Sequence, residues 1–114
     1  MSVKVYHNPR CSKSRQTLAL IRERGVEPEI IEYLNTPPTE AELDRILNML
    51  GMEPAGLMRK TEAEYKEHFK AADLNRSDAI ALMVKYPKVI ERPIVVNGDR
   101  AAIGRPPESV LEIL

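Results

Sequence analysis

The chain has 114 residues, 17 basic and 17 acidic side chains, and a single cysteine. That length predicts one domain over residues 1–114, and one thiol can neither close an internal disulfide nor build a cysteine-rich zinc site. Balanced charge gives no electrostatic reason to expect nucleic acid or an anionic membrane as partner, and no run of ~18 apolar residues offers a membrane span. The opening Met1-Ser2-Val3-Lys4 lacks the apolar core of a secretory leader, so a reducing cytoplasm is the expected setting.

Val3-Lys4-Val5-Tyr6 alternates apolar and polar residues with β-branched side chains, the pattern of a short strand. His7-Asn8-Pro9-Arg10 breaks it with a turn signal. A helix begins at Cys11 or Ser12, carries Leu18 and Ile21 on one face, and stops at Gly25. Glu29–Leu34 reads as a second strand, which completes a βαβ unit. After the Thr36-Pro37-Pro38 loop, Thr39 and Glu42 match a capping box, in which each side chain satisfies the other's backbone amide. Leu43, Ile46, Leu47 and Leu50 then follow at helical spacing up to Gly51.

Residues 53–75 are mixed and charged, with short helical pieces expected at Pro54–Arg59 and near Tyr65. Asn75 or Ser77 caps a helix bearing Ile80, Met83 and Val84, and Pro87 ends it. Pro93–Val96 is a strand, and Asn97-Gly98-Asp99 a hairpin turn in which Asn-Gly supplies positive φ. Arg100–Ile103 returns, and Pro106-Pro107-Glu108 opens a last helix with Val110, Leu111 and Leu114 as its apolar face. The order predicts an α/β fold: a central mixed β-sheet flanked by helices, with a helical insertion after the first βαβ unit.

Cys11 falls where a strand gives way to a helix. The unpaired amides there carry partial positive charge, which favours thiolate and provides an anion site. Arg10, Lys13 and Arg15 act in the same sense. A lone cysteine is ordinarily a small buried hydrophobe, but the neighbours Arg10, Ser12 and Lys13 are not core residues. The dithiol motif Cys-x-x-Cys becomes Cys11-Ser12-Lys13-Ser14, so any adduct on Cys11 needs an outside thiol to resolve it. The Cys-x5-Arg loop of phosphatases is absent, because Thr17 stands six residues on.

Three arginines stand apart. Arg59 lies in Leu57-Met58-Arg59-Lys60, while Arg92 and Arg105 each precede a proline. Any one is by default a solvated charge. Arg92 is held extended by Pro93, at a candidate cis bond. Three guanidinium groups converging on one anion suit a tetrahedral oxyanion. Two scattered histidines and one cysteine make no metal-ligand spacing, so no metal is expected; His68 reads as a surface residue and the five methionines as core filler.

The segments Tyr6–Arg15, Ile31–Leu34 with Thr36-Pro37-Pro38, Leu57–Lys60, Arg92–Val96 and Gly104-Arg105-Pro106 resemble, in order and over nearly the whole chain, the glutathione- and glutaredoxin-dependent arsenate reductases of the thioredoxin-like fold. The resemblance implies that Cys11 attacks arsenate to form a thiol-arsenate adduct. Glutathione then adds as co-substrate, and glutaredoxin reduces the mixed disulfide as arsenite leaves, with no bound cofactor. It assigns substrate binding to Arg59, Arg92 and Arg105, and supporting roles near the thiol to His7 and Ser14. For His7 and Ser14 the plain alternatives are a turn histidine bonded to backbone and a first-turn capping residue.

The chain departs from the family at Gly104, where some members carry a cysteine, and it is shorter than the plasmid-type members. Regulators of the same superfamily bind RNA polymerase on this scaffold, often carry Cys-x-x-Cys, and lack the full set of three arginines. A non-enzymatic regulator or adaptor, or a glutathione-dependent thiol protein with another substrate, is therefore the alternative.

Overall fold

Strand β1, Val3–Tyr6, forms as its alternation predicts, with Val3 and Val5 buried. It is the hub of a four-stranded mixed sheet of order β2-β1-β3-β4, seen in a computed structural model that describes residues 2–114. Strand β2, Glu29–Ile31, runs parallel to β1, pairing Val5 with Ile30. Strand β3, Ile94–Asn97, lies antiparallel on the other side of β1 and pairs Val5 with Val95. Strand β4, Arg100–Ile103, closes the hairpin with β3.

Helix α1, Ser12–Glu23, connects β1 to β2. Its Ile21 joins Val3, Val5, Val95, Val110 and Ile113 in one core, so α1 and the C-terminal helix pack on the sheet together.

Three expectations need correction in this unit. The second strand ends at Ile31, not Leu34. The chain turns at residues 33–36, where Asn35 and Thr36 both donate to the Glu32 carbonyl. Tyr33 is buried off the sheet and Leu34 is left exposed. In the hairpin, Asn97 is still in the strand, paired with Arg100, and only Gly98 has positive φ (65°). Positive φ at the first central residue alone is the type II′ pattern, so glycine and not asparagine carries the turn. The C-terminal helix is a 3-10 helix, Pro107–Ile113. At three residues per turn, Pro107, Val110 and Ile113 share the buried face, whereas Leu111 and Leu114 are half-buried.

Residues 37–91 form a second compact unit, inserted between β2 and β3. It contains α2 (Glu40–Leu50), a 3-10 turn (Pro54–Leu57), α3 (Ala63–His68), α4 (Arg76–Lys85) and a 3-10 turn (Pro87–Val89). The expected capping box is present: Thr39 Oγ1 accepts the Glu42 amide and Glu42 Oε1 accepts the Thr39 amide. Asn75, rather than Ser77, caps α4 by accepting the Asp78 amide. Leu43, Leu47, Leu57 and Met83 are fully buried. Arg76 ties α4 to α2 through Asp44 Oδ1 (2.9 Å) and Asn48 Oδ1 (3.0 Å). Among the described residues no helix is long and apolar enough to cross a membrane.

Candidate active site

Cys11 is the N-cap of α1, with extended backbone (φ −93°, ψ 123°). Asn8 builds this entry. Its carbonyl accepts the Cys11 amide (3.0 Å), and its side-chain Oδ1 accepts the Arg10 amide (3.0 Å), a turn that needs no regular structure. The cap side chain accepts no helix amide, and no acidic residue sits in the first turn. The sulfur is therefore at a helix start whose amide charge is not offset locally.

Cys11 is buried, 8% exposed, and Arg105 reaches its sulfur. The strap after β4 is pinned by the Gly104 amide, which donates to the Pro93 carbonyl (2.9 Å). Arg105 Nε donates to the Arg92 carbonyl (2.8 Å), which directs Nη2 to Cys11 Sγ at 3.6 Å. One guanidinium thus links the arginine before Pro93 to the sulfur. The Arg92–Pro93 and Arg105–Pro106 peptides are both cis. Gly104 permits the close approach: a Cβ there would collide with Thr17 of α1 and with Pro93.

His7 and Ser14 meet beneath the thiol loop. Ser14, fully buried, accepts the Asn8 amide (3.0 Å), and its Oγ lies 2.6 Å from His7 Nδ1. With the imidazole neutral and protonated on Nε2, Ser14 donates to Nδ1 while accepting the Asn8 amide, so the buried hydroxyl is satisfied both as donor and as acceptor. The His7 pKa is lowered below 6.5, chiefly by burial; Glu32 opposes this, while Arg22 and Arg15 add to it. Ser14 is not a cap: it lies inside the helix and joins the loop carrying Cys11 to the end of β1.

The sheet unit thus joins Arg105 to Cys11 and to the Arg92 carbonyl, and His7 to Ser14. Arg59 belongs to the helical unit, where Nη1 bonds Glu62 Oε1 (2.6 Å) and Nε faces Glu91 Oε1 (3.7 Å). Sequence reasoning missed both carboxylates and the part played by Asn8. Neither carboxylate had a helical spacing to announce it: Arg59 lies in an extended segment before the start of α3, and Glu91 is 32 residues away.

Comparison with known proteins matches residues 6–113 to the model of the ArsC family. The chain is 54% identical over 114 residues to the uncharacterized protein YfgD of Escherichia coli (strain K12), covering 98% of this chain and 96% of the relative. It is 47% identical over 116 residues to an arsenate reductase of Haemophilus influenzae, covering 100% of both. Among solved structures, an arsenate reductase from Vibrio cholerae superposes with a TM-score of 0.94 at 50% identity, covering 100% of this chain and 98% of that one.

Proposed function

Since the chain belongs to the ArsC family, we propose that it is an arsenate reductase that converts arsenate to arsenite with glutathione and glutaredoxin as thiol donors. The observation that carries the reading is the Cys11 sulfur at the start of α1 with Arg105 Nη2 at 3.6 Å. A nucleophile and a cation suited to an oxyanion meet at one point.

In the reaction, Cys11 sulfur attacks arsenic(V) and an arsenate oxygen leaves as water, giving the thiol-arsenate adduct. The glutathione thiol supplies the second sulfur. Arsenic gains two electrons and departs as arsenite, and the two sulfurs, oxidised together, become a Cys11–glutathione disulfide. Glutaredoxin reduces that disulfide and restores the thiol. Arg105 holds the oxyanion beside the sulfur, and the parts of Arg92 and Arg59 as further ligands rest on the family resemblance. Ser14 and His7 keep the Cys11 loop in place. An external thiol is needed because the chain has no second cysteine. Such chemistry belongs in a reducing compartment, in keeping with the cytoplasm.

The test couples the protein to glutathione, glutaredoxin, glutathione reductase and NADPH. Arsenate-dependent NADPH oxidation is expected, and Cys11→Ser is expected to abolish it. A wild-type protein inactive in a coupling system that supports another arsenate reductase would sink the proposal.

A further inference from the structure

Arg59 is fixed by two extended segments of the helical unit. Its amide donates to the Val89 carbonyl (2.6 Å), the Glu91 amide donates to the Leu57 carbonyl (2.8 Å), and Met58 bridges Ile90 in antiparallel sense. This pairing sets the Arg59 side chain beside Glu91. Glu62 approaches from the start of α3. The three side chains are about equally shielded, at 23% (Arg59), 30% (Glu62) and 26% (Glu91) exposure.

The two carboxylates do different work. Glu91 faces Nε at 3.7 Å, a distance that orients the guanidinium without closing a short bond. Glu62 takes Nη1 at 2.6 Å, a short charge-assisted bond on one prong of the fork that a tetrahedral oxyanion would use. Glu62 has no other evident task. It is the N-cap residue of α3, yet its side chain accepts no helix amide.

We propose that Glu62 sets the oxyanion affinity of the protein: its carboxylate is the resting ligand of Arg59 and is exchanged for the substrate. The proposal rests on the reading of Arg59 as an oxyanion ligand. A bidentate oxyanion replaces the carboxylate with two parallel bonds, and the released Glu62 returns to water, so part of the binding free energy goes into the exchange. The site then retains weakly only those anions that cannot make up that loss. Removing the charge of Glu62 removes the competition and leaves Arg59 aligned by Glu91 and by its paired backbone.

Calorimetric titration with sodium arsenate reads this directly in a Cys11→Ser background, where no adduct can form. Glu62→Gln is expected to tighten arsenate binding about two- to five-fold, the worth of a partly exposed ion pair. Arg59→Ala is expected to weaken binding, and adding Glu62→Gln to it should change nothing further, because Glu62 acts through Arg59. Unchanged or weaker binding in Glu62→Gln, with Arg59→Ala still damaging, overturns the exchange but leaves Arg59 as a ligand. A tightening that persists without Arg59 also overturns it, since that is bulk charge. If Arg59→Ala binds like its parent, both the exchange and the reading of Arg59 fall.

Discussion

His7 couples a buried hydrogen bond to a titration displaced below the ordinary histidine value. Its pKa is lowered in the folded protein, mainly by burial, so between that value and 6.5 the unfolded chain binds more protons than the native one. The slope of unfolding free energy with pH is positive there. Stability is full above 6.5 and falls as pH drops through that window. Urea unfolding at pH 7.5 and 5.5 is expected to give a lower midpoint at the acid pH, and His7→Asn should narrow the gap. An unchanged gap in His7→Asn would remove His7 from the account. Protonation also forces Nδ1 to donate, which obliges the Ser14 hydroxyl, fully buried and already holding the Asn8 amide, to find a new acceptor. Little of this was legible in the sequence. The site residues His7, Cys11 and Ser14 sit close together and could be picked out, but the Asn8 amide that holds Ser14 is a backbone group shared by every residue type except proline.

At the scale of elements, what was legible was what local chemistry decides. Thr39 and Glu42 cap α2 as their spacing demands, and α1 begins where the Asn-Pro turn releases it. What was misread was decided by tertiary packing. Tyr33 follows β2 closely, yet it is buried from within a turn that lies outside the strand. The C-terminal helix winds at three residues per turn, so its buried face is Val110 and Ile113, and Leu111 rotates partly into solvent. The two leucine-sized residues therefore differ in worth. Ile113→Ala is expected to cost about 2–4 kcal/mol by chemical denaturation, because it opens a cavity among Val3, Val95 and Val110. Leu111→Ala should cost roughly half as much or less; equal costs would mean that the helix follows the α period after all.

Across the whole molecule, the sheet order makes β1 and β3 the strands bonded on both sides, and β2 and β4 the edges. Val5 and Val95 are fully buried and directly paired. Their amides are expected to be among the last to exchange with deuterium, near the global unfolding limit, with β2 exchanging sooner. Exchange of Val5 as fast as β2 would contradict this topology. The βαβ beginning and ββ-helix end were readable from periodicity, whereas the bridge between Met58 and Ile90 was not. No local pattern announces a pairing across 32 residues, and that pairing is what seats Arg59 beside Glu91. The lone thiol at the cap of α1 has a practical corollary. Every thiol-bound species, whether an arsenic adduct, a glutathione disulfide or an alkyl label, has one address in this chain. The mass of the intact protein is therefore already site-resolved, and a quenched time course in a mass spectrometer reads the order of the sulfur chemistry without digestion or mapping.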